Sequence, residues 1–308
     1  MNYLITGGYG FVGSYLANKL INEKSNRVYV IDNLSNKNQN FVSKKVKKIY
    51  GNVSDFTFLE KIVTKKKIDY IYHLSATINE SVFKEDVYND IFTSIISTVN
   101  FLEIIKKHKI KKFIFISSIA VYGKAKKEKF DENSVTKPEF SYGISKKCAE
   151  DYVEYYSKKF KLNCSVIRVG NIYGPFQPKI GEVGVINIFI KNALKNKLIK
   201  IFGKGNQSRD FIFIDDVVNF LIKCKSIKSN IYNLVSGNSI KIISLAKLIK
   251  KITKTQSNIK FFKERLEEVG NFRASSTLAK KNKLKISFNI EKGIKKTVQF
   301  YEKNKQFL

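Results

Sequence analysis

The chain has 308 residues, 43% of them hydrophobic, and its 57 basic residues against 26 acidic ones give a formal net charge of +31. That length allows a sizeable core in one α/β domain or in two unequal lobes, and two lobes sharing one cleft are expected. No run approaches the 18 apolar residues of a membrane span, and three cysteines (Cys148, Cys164, Cys224) without metal-ligand spacing argue against a disulfide framework and suit a reducing cytoplasm.

The charge alone would raise nucleic acid or an anionic membrane as partner. Only five of the basic residues are arginines, however, and the 52 lysines spread over nearly every element, as on a solvated surface; Lys, Asn, Ile, Phe and Tyr also share A/T-rich codons. Neither nucleic acid nor membrane is therefore expected as a partner. Scarce arginine is more informative, because only a guanidinium offers a planar fork to phosphate or carboxylate. Arg168, Arg209, Arg265 and Arg273 are candidates for such a grip, and Arg27, at the mouth of a strand, reads as structural.

Tyr3-Leu4-Ile5-Thr6 follows Met1 almost at once, so no targeting segment is expected. It is the first of six short β-branched runs, followed by Val28 to Ile31, Lys48 to Tyr50, Tyr70 to His73, Phe113 to Ser117 and Ser165 to Val169. Amphipathic stretches between them predict helices beginning near Phe11, Asp55, Tyr88 and Tyr142, the alternation of a parallel sheet with helices on both faces. After Gly174-Pro175 the pattern loosens, and Asp210 to Ile214 reads as a strand that could return to the sheet. The expected division is 1–174 with about 211–235 in one domain, and 175–210 with 236–308 in a smaller, discontinuous lobe.

Gly7-Gly8-Tyr9-Gly10-Phe11-Val12-Gly13 follows a strand and opens a helix, where glycines permit a tight turn and close approach of backbone to a pyrophosphate. Asp32, 19 residues past Gly13 at the end of the second strand, can accept from both ribose hydroxyls of an adenosine; with no Arg or Lys directly after it, NAD is favoured over NADP. Tyr142 and Lys146 stand four apart on a predicted helix, about 6 Å along its axis, so an ammonium sits beside a phenol and favours its phenolate. Bringing a phenol from about 10 to near neutrality takes about 4 kcal/mol, which a cation, a hydroxyl donor and a positive nicotinamide could supply together. His73 and His108 read as sheet-end and helix-surface residues, and Tyr152, Tyr155 and Tyr156 as packing residues against a partner helix.

These segments, with Asp32-Asn33-Leu34-Ser35, Gly51-Asn52-Val53, His73-Leu74-Ser75-Ala76, Ser117-Ser118-Ile119-Ala120-Val121-Tyr122-Gly123, Arg168-Val169-Gly170-Asn171-Ile172-Tyr173-Gly174-Pro175 and Arg209-Asp210-Phe211-Ile212, resemble in order and spacing the extended short-chain dehydrogenases/reductases that act on nucleotide-activated sugars. The resemblance spans nearly the whole chain. It implies a Rossmann-type, doubly wound parallel sheet with a smaller α/β substrate-binding lobe. NAD would be held by Gly7, Gly10, Phe11, Val12, Gly13, Asp32, Asn33, Asn52, Val53, Leu74, Ser75, Ala76, Ser117, Tyr142 and Lys146. It further implies that Ser118 binds the reacting sugar hydroxyl, that Tyr142 is the acid/base, and that Lys146 contacts the nicotinamide ribose. Asn171, Arg209 and Arg265 would contact the nucleotide-diphosphate sugar, Arg265 through a segment similar to the family's Arg-x-Gly-Asp/Glu. Phe272, where some 4-epimerases use side-chain size, hints at refusal of an N-acetyl group. The helix near Tyr88 and the one carrying Tyr142 resemble the family's dimer-forming pair, which implies a homodimer.

Departures from the family pattern are also visible. Asn52 replaces an acidic residue, Ser94 and Ser97 stand where Asn and Gly are usual, and Ser275 replaces a carboxylate. Where dehydratases carry an acid and 3,5-epimerases a cysteine, this chain has Ile119 and Ala120. One hydride and one proton at one carbon remain, which suits a 4-epimerase working through a transient 4-keto sugar, with UDP the default carrier. A nucleotide-sugar 4-dehydrogenase or ketoreductase is the alternative, and a non-catalytic NAD- or RNA-binding module a remote one.

Overall fold

The structure, a computed structural model, describes residues 1–35, 41–76, 86–124, 129–177, 184–264, 273–282 and 284–308. The six β-branched runs of the first half become strands Asn2–Thr6 (β1), Arg27–Asp32 (β2), Lys47–Tyr50 (β3), Tyr70–His73 (β4), Lys112–Ser118 (β5) and Cys164–Val169 (β6). All are parallel, and between all but β2 and β3 helices return the chain to the same end of the sheet: Phe11–Ile21 (α1), Phe56–Lys65 (α2), Val87–Asp90 (α3), Ser97–Lys107 (α4) and Ser141–Phe160 (α5). Asp55 starts α2 as expected, its carboxylate accepting from Phe58 N–H (3.0 Å). Between α3 and α4 the helix does not break but widens into a π-helical stretch, Ile91–Ile96.

Downstream lie Asn171–Tyr173 (β7), Val185–Leu194 (α6), Ile199–Phe202 (β8), Ser208–Phe213 (β9), Ile214–Cys224 (α7), Ile231–Leu234 (β10), Ser239–Lys241 (β11), Ile242–Thr253 (α8), Ile259–Phe262 (β12), Thr277–Lys281 (α9) and Ile290–Lys303 (α10). The seven-stranded sheet runs β10-β6-β5-β4-β1-β2-β3. Side-chain alternation splits its core: Tyr3, Ile5, Val28, Val30, Ile114 and Ile167 face the layer of α1 and α7, while Leu4, Tyr29, Ile31, Phe113, Phe115 and Val166 face α2, α4 and α5. Strand order reverses between β1 and β4, and the crevice beyond their carboxyl ends is where such sheets bind ligands.

One expected strand lies elsewhere. The run from Asp210 does not return to the large sheet; β9 ends at Phe213, pairs with β7 and β11 in a separate three-stranded sheet, and Ile214 opens α7. Asp210 explains this, since its buried carboxylate accepts from Ser236 N–H, Ser236 Oγ and Gly237 N–H just past β10 (2.7–2.8 Å) and holds β9 across the sheet end. The seventh place goes to β10, beside β6. A parallel pair, β8 and β12, completes the sheets, and α6, α8 and α10 pack together nearby.

Candidate active site

The turn after β1 sits in the crevice. Gly7 takes φ +63°, a conformation costly to any other residue, and its N–H donates to Ile31 carbonyl (2.9 Å). A Cβ on Gly13 would stand 2.2 Å from Gly7 oxygen, so the helix start can press on the turn only without a side chain. Phe11 and Val12 begin α1 behind Gly10, where no side chain caps the first N–H groups and no acidic residue lies in the first turn. These donors suit a phosphate. Asp32, buried at the end of β2, accepts from Tyr9 N–H (2.9 Å) and Leu34 N–H (2.8 Å), which aims its carboxylate and leaves lone pairs for hydroxyls. Asn33 and Asn52 cap their own turns through Ser35 N–H and Ser54 N–H, and Val53 is buried beside them.

Across the switch point, Leu74, Ser75 and Ala76 leave β4 against Gly7. Thr6 Oγ1 accepts from the N–H groups of Leu74 (3.1 Å) and Ser75 (3.2 Å), so its own proton goes to His73 Nδ1 (2.7 Å); His73 Nε2–H then meets Ser97 Oγ (2.8 Å), which donates to Thr93 carbonyl (2.6 Å). His73 is thus a buried, neutral sheet-end residue, and burial and the Lys146 charge hold it well below the ordinary histidine value. Ser97, which departs from the family's glycine, is the partner that completes this chain.

At the end of β5 three candidate residues come together. Ser118 Oγ accepts from Ala120 N–H (3.1 Å) and is hydrogen-bonded to Tyr142, in the first turn of α5. Ser117 is buried, and its hydroxyl has no partner among the described residues. Lys146 lies one turn beyond Tyr142, its ammonium 4.8 Å from the Phe115 ring centre and 5.8 Å from that of Tyr142. It is 1% exposed and makes no hydrogen bond within the described residues, so its three donors are unspent. Glycine cradle, aimed carboxylate, orphaned serine and unspent ammonium fit a dinucleotide.

The electrostatics differ from the simple expectation of an activated phenol. Burial pushes Tyr142 up to about 12, Ser118 lowering it and Asp90 raising it; burial likewise takes Lys146 down to about 8, opposed by Asp90 and Glu150. Without ligands, desolvation outweighs the Ser118 hydroxyl's help to the phenol. Glu150, one turn past Lys146, forms a buried fork with Arg168 (2.7, 3.0 and 3.2 Å), whose Nη1 donates to Tyr122 (2.9 Å). Arg168 therefore grips a carboxylate and ties α5 to β6. Two functional neighbours escaped sequence reasoning. The i, i+4 spacing from Lys146 could have exposed Glu150, whereas nothing local marks Asp90, on α3, as buried beside α5.

For the substrate, β7 and β9 bring Asn171 and Arg209 to one small sheet. Asn171 Nδ2 donates to Asp210 carbonyl (3.1 Å), and Arg209 Nη1 to Ser208 carbonyl (3.0 Å). Arg273 is exposed. Arg265 and Phe272 lie outside the described residues. Among the described residues no group of side chains could hold a metal ion, and no helix is long and apolar enough to cross a membrane.

Comparison with known proteins places this geometry. Residues 3–234 match the model of the NAD dependent epimerase/dehydratase family. The chain is 33% identical over 302 residues to a putative UDP-glucose 4-epimerase of Methanocaldococcus jannaschii, covering 98% of each. It is 30% identical to the human dTDP-D-glucose 4,6-dehydratase, covering 98% of this chain and 90% of that one. Among solved structures, the UDP-glucose 4-epimerase of Thermotoga maritima with UDP-glucose is similar with a TM-score of 0.94 at 31% identity over 99% of both chains.

Proposed function

The chain belongs to the NAD dependent epimerase/dehydratase family, enzymes whose cofactor is NAD, and on that premise we propose that it is a nucleotide-sugar 4-epimerase, with a UDP-sugar as substrate. The observation that carries this is the grouping of Ser118, Tyr142 and Lys146 at the end of β5 with Ile119 and Ala120 directly behind Ser118. The set offers one acid/base and no second. Elimination needs a further proton donor, and neither Ile119 nor Ala120 has a titratable group, which favours epimerisation over dehydration although dehydratases are among the relatives.

In this reading a bound NAD would supply reversible hydride acceptance at carbon 4 of the sugar. Tyr142 takes the proton of the 4-hydroxyl and gives it back after the keto sugar has turned over. Ser118, hydrogen-bonded to Tyr142, stabilises the phenolate and aligns the sugar hydroxyl. Lys146 directs its free donors to a ribose and keeps positive charge beneath the phenol. Asp32 holds the adenosine ribose, and the turn Gly7 to Gly13 the pyrophosphate. Arg209 and Arg265, in a lobe formed by 175–210 and 236–308, hold the nucleotide sugar together with Asn171 from the larger domain, with Phe272 limiting the sugar's size.

The exposed apolar side chains of α3 to α4 (Val87, Tyr88, Phe92, Ile96) and of α5 (Ile144, Tyr152, Tyr155) suit a second copy of the chain. Tyr156, by contrast, is half-buried against α4, its hydroxyl donating to Glu103 there. A cytoplasmic homodimer is the corresponding proposal, and a monomer at micromolar concentration in light scattering contradicts it. The activity is tested by incubating purified protein, without added cofactor, with UDP-glucose, UDP-galactose and their N-acetyl forms and following anomeric protons by NMR. A 4-epimer supports the reading. Activity only with added NAD and release of a keto sugar replaces it with a 4-dehydrogenase.

A further inference from the structure

Lys146 is an amine buried under the sheet end, stacked on Phe115 and Tyr142 without a hydrogen bond among the described residues. Isolated buried ions cost the fold several kcal/mol, so a compensating charge must come from the groups around it. Four titratable groups of the described residues bear on it. His73, from β4, is neutral, with both ring nitrogens committed to Thr6 and Ser97. Tyr142, from α5, is a neutral phenol. Glu150, also from α5, is forked to Arg168 from β6. The fourth is Asp90.

Asp90 ends α3 where the π-helical stretch begins. A wide turn of this kind shifts the helix register, and here Asp90 is fully buried while Val87 and Tyr88 of the same short helix are exposed. Its Oδ2 accepts from Ser141 Oγ (2.8 Å), the residue immediately before Tyr142, and α3 and the π-helical stretch both pack against α5. We propose that Asp90 is a positioning residue of the site: its buried carboxylate anchors the start of α5 through Ser141 and is the counter-charge that retains Lys146 as an ammonium. The same charge acts on Lys146 and Tyr142 in the same direction, disfavouring proton loss from both. Asp90 thus keeps the lysine cationic while holding the phenol protonated until ligands bind.

The test is the near-isosteric Asp90→Asn, and its first arm needs no turnover. In NAD-stripped protein labelled with 13C at lysine Cε, the Lys146 signal, identified by its absence in Lys146→Met, is titrated by NMR. The wild-type midpoint near 8 should fall by half a pH unit or more in Asp90→Asn, about a threefold loss of proton affinity. An unmoved or raised midpoint overturns the proposal. The second arm rests on the proposed 4-epimerase reading: both limbs of the pH profile of kcat/KM should move to lower pH together. A lower rate with unmoved limbs overturns the proposal, since a merely structural role gives that result. A shifted Lys146 midpoint in a protein that epimerises no nucleotide sugar sinks the epimerase reading alone. Should Asp90→Asn not fold, Ser141→Ala decides, because it keeps the charge but frees it: the midpoint should fall by less, and an unmoved midpoint overturns the proposal.

Discussion

Replacing Lys146 by Met should stabilise the protein at neutral pH while abolishing turnover. The amine is 1% exposed and its proton affinity is depressed from the ordinary lysine value of 10.5 to about 8. At about 1.4 kcal/mol per pH unit, the folded state bears roughly 3 kcal/mol for keeping the charge. The cation–π contacts to Phe115 and Tyr142 return part of this, and a methionine sulfur regains some contact with the rings, so a net gain of about 1–3 kcal/mol is expected at pH 7. The sign follows from proton counting. Between pH 8 and 10.5 the unfolded chain holds the lysine proton more tightly than the folded one, so wild-type stability rises with pH across that window. Below pH 8 both states are protonated and the whole penalty applies. Urea midpoints of NAD-stripped wild type and Lys146→Met, measured from pH 7 to 10.5, should therefore converge as pH rises. A variant less stable than wild type at pH 7, or a gap that does not change with pH, refutes the assignment of Lys146 as a buried, strained ammonium.

Glu150→Gln and Arg168→Met should each cost about 3–5 kcal/mol, because each strands a buried partner, and the double variant should lose less than their sum in denaturant midpoints; additive losses contradict the fork. Ser118→Ala removes a hydrogen bond that favours the phenolate, about 1.5–3 kcal/mol, so kcat/KM should fall on the order of 10–100-fold and its acid limb should move to higher pH, where an unmoved limb separates Ser118 from Tyr142. Gly13→Ala puts a methyl 2.2 Å from Gly7 oxygen, and NAD carried through purification should be lost while the far-ultraviolet circular dichroism is retained; full NAD occupancy counts against the glycine turn as its cradle.

What the sequence made legible was local. The glycine turn, Asp32 and the pair Tyr142 and Lys146 each combine a short spacing with one predicted element, so period and propensity suffice to place them. The strands were legible in the same way, and β1 to β6 lie where the β-branched runs stand. The misplaced strand at Asp210 shows the limit. Its apolar pattern was right, but the partners that hold its carboxylate, Ser236 and Gly237, come from more than 20 residues away. The same holds for Glu150 and Arg168, 18 apart on a helix and a strand, and for Asp90 and Ser141, 51 apart. Without ligands burial also raises the phenol, because desolvation is a property of the packed site and leaves no mark on the sequence.

The most direct test follows the hydride. A UDP-hexose deuterated at carbon 4, incubated with the purified enzyme in ordinary water without added NAD, should give the 4-epimer with deuterium still at carbon 4, because one hydride leaves and returns at one carbon on a retained cofactor. Deuterium recovered in NADH with release of a keto sugar, or found at carbon 6 of a dehydrated product, would contradict epimerisation by the single acid/base at Tyr142.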